Sequence, residues 1–205
     1  MFSMLKEKIE KLTAQFENIS SGRKQVLTQL SNSIREKRVF KKPVQLNFIC
    51  THNSRRSHIA QIWAQMATYH YGIENVNCYS GGTEATAVSP NVISALRNAG
   101  FRISVAKEGA NPTYNIQVSD NHSINVFSKH FNDPANPSND FVAVMVCSDA
   151  DKNCPIVPGA SERIAITYND PKASDGTPNE SAAYQQTVDE IGREMLFVFS
   201  MINDQ

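Results

Sequence analysis

Cys50 closes an apolar run, "VQLNFIC" at 44–50. Arg56 follows six positions later with Ser57 beside it, where a helical pattern begins. The residues between them are Thr51, His52, Asn53, Ser54 and Arg55. A loop of that length can curl round a tetrahedral oxyanion with its backbone N–H groups turned inward. The helix it feeds points its positive end at the same anion. Arg56 adds a planar fork of donors that can grip two oxygens at once. The field that holds an anion also favours a thiolate, so Cys50 is a candidate nucleophile. Ser57 can donate to the sulfur and make it a better leaving group. These residue types suit displacement at phosphorus or a phosphorus-like centre. Cys-x5-Arg alone is a weak pattern, since a structural cysteine and a surface arginine also produce it. Its place between strand and helix gives it weight.

A second pair of thiols lies in "VCSDADKNCPIVPG" (146–159). Cys147 ends another apolar run and Cys154 comes seven residues later. The interval is too wide for the usual zinc knuckle and no histidine is near, so no metal is expected. In a regular helix the two α-carbons would stand about 10 Å apart, beyond disulfide reach. A redox pair here therefore requires the segment to loop out. Two cysteines serving only as packing residues are the plainer alternative.

The positioning elements can be read from periodicity. Phe2, Leu5, Ile9, Leu12, Phe16 and Ile19 line one helical face, "SSG" at 20–22 breaks it, and Val26, Leu27, Leu30 and Ile34 mark a second helix to about Arg38. Residues 1–42 thus form a helical extension, docked on the domain or pairing with a second copy through the apolar stripe. From residue 43 to 205 strands and helices alternate. Strands are expected at 44–50, 75–80, 141–147 and 163–167, with two more about a polar turn in 113–129. Helices are expected at 57–72, closing on Gly72, at 89–100 with Ser89 as N-cap, and at 182–202. That order describes an α/β three-layer sandwich with a mainly parallel sheet. Such sheets bind ligands at the carboxyl ends of their strands, where Cys50 and Cys147 both sit.

Composition excludes several classes. The 205 residues carry 20 Lys+Arg against 20 Asp+Glu, which gives no electrostatic basis for binding nucleic acid or a membrane surface. "MFSMLKEKIEK" has no apolar signal region, and no stretch reaches the roughly 20 apolar residues of a span. Four cysteines are too few for a disulfide scaffold. A cytoplasmic enzyme without a cofactor is the expectation.

The loop "CTHNSRRS", the segment "YSGGTEA" (79–85) and the following helix ending in "AGFRIS" resemble the low-molecular-weight protein tyrosine phosphatase superfamily, over about residues 44–202. That resemblance implies a Cys50 nucleophile, an oxyanion held by residues 51–56, and a general acid in an Asp-Pro near the C-terminus. "YNDP" supplies Asp170 and Pro171. Chemistry gives Asp170 an independent reason, because a leaving oxygen needs a proton. An Asp that merely opens a turn before proline is the alternative.

"CSDADKNCP" and "NDPKASDGT" are similar to the thioredoxin-coupled arsenate reductase branch. The branch implies a relay in which Cys50 attacks arsenate, Cys147 displaces arsenite, and Cys154 moves the disulfide to where thioredoxin reduces it. A phosphatase acting on phosphate monoesters needs only Cys50, Arg56, Ser57 and Asp170. A binding protein without turnover is a further alternative. The match departs at three positions. His52 stands where glycine is usual, which implies strain if φ is positive there. Arg55 replaces a cysteine and adds positive charge near Cys50. Gln61 replaces a glutamate linked to a potassium site, so no metal is expected.

Overall fold

The structure, a computed structural model, describes residues 1–40, 42–154 and 156–202. Its centre is a four-stranded, wholly parallel sheet in the order β2-β1-β6-β7. β1 (Val44–Cys50) and β6 (Phe141–Met145) are the inner pair and are buried on both faces, which is why their sequences are nearly unbroken apolar runs. β2 (Val76–Gly82) and β7 (Ala160–Ala165) flank them, and β7 is exposed or half-buried apart from Ile164, its one buried residue.

α3 (Arg56–His70) leaves the end of β1 and packs on β1 and β2. Twelve of its fifteen residues are buried, including Trp63, because α6 (Glu180–Ser200) covers its other side. Gly192 on α6 lies so close to Trp63 that a Cβ would stand 2.6 Å from its ring. α4 (Pro90–Asn98) also packs on α6. Ser89 occupies the expected N-cap position, but its side chain caps nothing. Its backbone N–H instead donates to the Ser54 carbonyl at 3.0 Å.

The N-terminal helices are α1 (Ser3–Thr13) and α2 (Ser21–Val39). "SSG" at 20–22 starts the second helix rather than merely ending the first, since the Ser20 hydroxyl accepts from Arg23 N–H. Leu5, Ile9, Leu12, Ile19, Leu27, Leu30 and Ile34 are all buried in the single core. Both helices pack against α6 of the same chain, so the apolar stripe is covered without a second copy. Pairing between chains would have to use another face.

Residues 102–126 form a separate antiparallel sheet, β3 (Arg102–Lys107), β4 (Thr113–Ser119) and β5 (His122–Val126). The β4–β5 hairpin matches the expected pair of strands. β3 was not legible, because its residues are mostly exposed and lack a clean alternation. Among the described residues no helix is long and apolar enough to cross a membrane.

Candidate active site

The loop 51–55 joins β1 to α3, and its conformation follows from where its carbonyls go. Cys50 O accepts from Thr83 N–H at 3.1 Å, and Thr51 O from Glu84 N–H at 2.8 Å. His52 O accepts from the hydroxyls of Thr86 and Ser128, both at 3.1 Å. Asn53 O accepts from His58 Nε2 at 2.8 Å, and Ser54 O from Ser89 N–H. Every carbonyl from 50 to 54 is therefore pinned outward. Among the described residues, none accepts from the backbone N–H of His52, Asn53, Ser54 or Arg55. Outward carbonyls and unclaimed N–H groups at a helix start are a geometry that can receive an anion.

The strained position is one residue from where the sequence suggested. Asn53, at φ 44°, takes the left-handed conformation, and His52 does not. Asparagine tolerates it at modest cost. Its side chain also fixes the loop, with Nδ2 donating to Ser57 Oγ at 2.9 Å and Oδ1 accepting from Lys129 N–H at 2.8 Å. The His52 side chain is turned outward, its Nε2 3.6 Å from Glu84.

The carboxyl end of β2 lies directly behind the loop. A Cβ on Gly82 would meet Glu84 O, Thr51 O and Asn53 N at 2.4–2.7 Å, so only glycine lets these backbones approach. Sequence reading missed this buttress and three residues that serve it. His58 is fully buried, bonded to Asn53 O and to the Ser80 hydroxyl at 3.2 Å. Burial, with the Lys129 charge nearby, pulls His58 down to about 3, so the ring stays neutral and Nε2–H donates to Asn53 O. Ser128 and Lys129 come from the segment after β5, and burial lowers Lys129 to about 8. The only advance signal was their polarity next to apolar strands.

Cys50 Sγ lies 3.1 Å from Ser57 Oγ, both buried. Arg56 is buried too. Its Nη1 donates to Tyr168 O at 3.0 Å and its Nη2 to Asp170 Oδ2 at 2.6 Å. Arg56 Nε, also buried, has no acceptor among the described residues. Arg55 does not point into solvent. Its Nε reaches Asp170 Oδ1 at 2.9 Å, so one carboxylate spans two guanidinium groups. Asp170 also accepts from Lys172 N–H at 3.1 Å, which is the turn-opening role anticipated for an Asp before proline. Cys50, His52, Ser54, Arg55, Arg56 and Asp170 line one small cleft.

The second thiols stand beside this cleft. β1 and β6 run in parallel with Ile49 opposite Met145, and Val146 N–H donates to Ile49 O at 2.9 Å. That register brings Cys147, fully buried, within 3.5 Å of the Thr51 hydroxyl. Cys147 is the N-cap of the short helix α5 (Ser148–Asn153), its sulfur accepting from Ala150 N–H at 3.4 Å. Cys154 ends that helix, partly exposed, with Ile156 protruding beyond it. Pro155 lies outside the described residues. Arg163 on β7 ties the end of α5 down, donating to Cys154 O at 3.2 Å and to Asp151 O at 2.6 Å. Cys78 is distant in role, a buried β2 residue whose thiol burial pushes far upward. Gln61, on α3, donates to Cys78 O at 3.1 Å. No cluster of metal-ligating side chains occurs among the described residues.

A cysteine at the carboxyl end of a parallel strand, inside an anion cradle that opens a helix, defines a cysteine-dependent oxyanion protein of the α/β class. The family model for low molecular weight phosphotyrosine protein phosphatases matches residues 45–117. The arsenate reductase of Bacillus licheniformis is 35% identical over 149 residues, 72% of this chain and 89% of that protein. Its Bacillus subtilis counterpart is 33% identical over the same shares. The chain belongs to the low molecular weight phosphotyrosine protein phosphatase family and is an enzyme. Among solved structures, a T. tengcongensis low molecular weight protein tyrosine phosphatase superposes with TM-score 0.53 at 16% identity, over 77% of this chain and 99% of that one. An Archaeoglobus fulgidus arsenate reductase gives 0.51 at 17%, over 76% and 98%. At such identities these two speak for the fold alone.

Proposed function

We propose that this enzyme reduces arsenate to arsenite through Cys50, Cys147 and Cys154, with thioredoxin as reductant in the cytoplasm. The observation that carries the reading is the buried Cys147 sulfur beside Thr51, at the edge of a loop whose N–H groups at 52–55 have no acceptor among the described residues. The curated relatives named arsenate reductase support it.

In this reading arsenate enters the cradle and takes over bonds that Arg56 makes to Asp170. The Cys50 thiolate attacks arsenic, and Asp170 assists the departing oxygen, which leaves as water. Ser57 Oγ, 3.1 Å away, steadies the sulfur. Cys147 then attacks the Cys50 sulfur. A sulfur–sulfur bond forms, the sulfur–arsenic bond breaks, and its electron pair stays on arsenic, which departs as arsenite. Two thiols are oxidised as arsenic gains two electrons. Cys154 attacks Cys147 and restores the Cys50 thiolate, and thioredoxin reduces the Cys147–Cys154 disulfide. The helix between those two cysteines must unwind for the exchange, since intact helical geometry holds them about 10 Å apart. Because Cys154 is part-exposed and followed by a protruding Ile156, it suits a protein reductant that cannot reach Cys50.

Arsenate-dependent oxidation of NADPH, coupled through thioredoxin and its reductase, tests this. Turnover by the wild-type protein supports it, and none at millimolar arsenate defeats it. One observation favours a second reading: Cys50, Arg56, Ser57 and Asp170 suffice for phosphate-monoester hydrolysis through a Cys50 phosphocysteine. Para-nitrophenyl phosphate hydrolysis without arsenate turnover would select it.

A further inference from the structure

The family match begins at residue 45, so α1 and α2 lie outside it, yet one side chain of α2 touches Tyr168, whose carbonyl holds Arg56. Arg23, in the first turn of α2, forms a fork-to-fork pair with Glu194 of α6, Nε to Oε1 at 2.9 Å and Nη2 to Oε2 at 2.8 Å. Glu194 is 3% exposed, and Arg23 is its only ion-pair partner among the described residues. The same guanidinium lies over the Tyr168 ring, 4.7 Å from its centroid. Tyr168 is itself buried and joins both halves of the site. Its N–H donates to Val146 O at 3.1 Å, next to Cys147, and its carbonyl takes Arg56 Nη1 at 3.0 Å. Asp170 lies two residues further on.

We propose that Arg23 is a positioning residue for the oxyanion site, with the N-terminal helices clamping Tyr168 so that its carbonyl aims the Arg56 fork into the loop. The contacts form one chain: Glu194 orients Arg23, Arg23 covers the Tyr168 ring, and the Tyr168 backbone holds Arg56. A planar guanidinium suits this task because it can satisfy a carboxylate edge-on while presenting a face to an aromatic ring. A lysine would keep the charge and lose the platform. The inference rests on the oxyanion-binding reading of the loop. It gives the extension a role in substrate binding, whereas a merely docked pair of helices would contribute only stability.

The test uses the full chain and inorganic phosphate as probe, titrated calorimetrically well below the melting temperature. In Arg23→Met/Glu194→Leu both charges of the pair are replaced together, so no unpaired buried carboxylate is left. The expected result is a melting temperature near that of wild type with phosphate affinity weakened about five- to tenfold, the equivalent of roughly one lost hydrogen bond. Arg23→Lys is expected to bind phosphate with intermediate affinity. Its result decides alone if the double variant does not fold. Native phosphate affinity in a folded variant overturns the inference and leaves the loop's function standing. A wild-type protein that binds no phosphate or arsenate removes both.

Discussion

The two thiol-bearing segments of this protein are held in opposite ways. Residues 50–57 are pinned by carbonyl bonds to segment 83–89, to Ser128 and to a neutral buried histidine, and are backed by a glycine that leaves no room to move. Residues 147–154 form a helix of under two turns, capped by a sulfur and tied at its far end mainly by Arg163. The first segment must present N–H groups to an anion without reorganising, which is what electrostatic binding requires. In the proposed relay the second comes apart once per turnover. Firmness and looseness are matched to the chemistry each proposed step demands.

The largest effect is expected at the centre of the first segment. Cys50→Ser is expected to lower both arsenate reduction and ester hydrolysis by roughly 10⁴-fold or more, measured by the coupled NADPH assay and by phenolate release. Cys147→Ser or Cys154→Ser should separate the regions. Sustained arsenate turnover stops, while para-nitrophenyl phosphate hydrolysis stays within about twofold. Parallel loss of both activities would mean that the second segment also shapes the loop.

Smaller changes sharpen the contrast. Gly82→Ala forces a methyl into three backbone atoms of the loop wall and should cost about 3 kcal/mol by chemical denaturation, with weakened phosphate binding. His58 supplies a pH test. Its folded value of about 3 lies below the ordinary 6.5, so between those limits the unfolded chain binds a proton that the native state refuses. Stability is full above 6.5 and falls as pH drops towards 3, by an amount on the order of a few kcal/mol. His58→Gln should flatten that slope in pH-dependent melting. Arg163→Met, which unties α5, is expected to raise the alkylation rate of Cys154 in the resting enzyme about three- to tenfold, leaving phosphate affinity unchanged.

Much of the parallel sheet and the loop could be read in advance, because both depend on local pattern. Unbroken apolar runs announced β1 and β6, and the interval from Cys50 to Arg56 announced a cradle. What holds the cradle was not readable. Ser128 and Lys129 are distant in sequence and ordinary in type, and their roles exist only once the segment after β5 lies against the end of β2, where Gly82 N–H donates to Lys129 O. Likewise, His52 in place of a glycine implies strain only if φ is positive there, whereas the backbone places the positive φ at Asn53, a residue that accepts it. Arg55 was legible as charge but not as a partner of Asp170, which requires the segment after β7 to fold across the loop. Arg23 gave no signal, since one arginine on a polar helix looks like any other.

The most direct measurement is a single turnover with arsenate in the absence of thioredoxin, followed by trapping of free thiols and mass-spectrometric mapping. The expected result is one arsenite released per chain, a Cys147–Cys154 disulfide, and Cys50 and Cys78 recovered as free thiols. Arsenite release without that disulfide, or a stable Cys50–arsenic adduct with Cys147 and Cys154 both free, would contradict it.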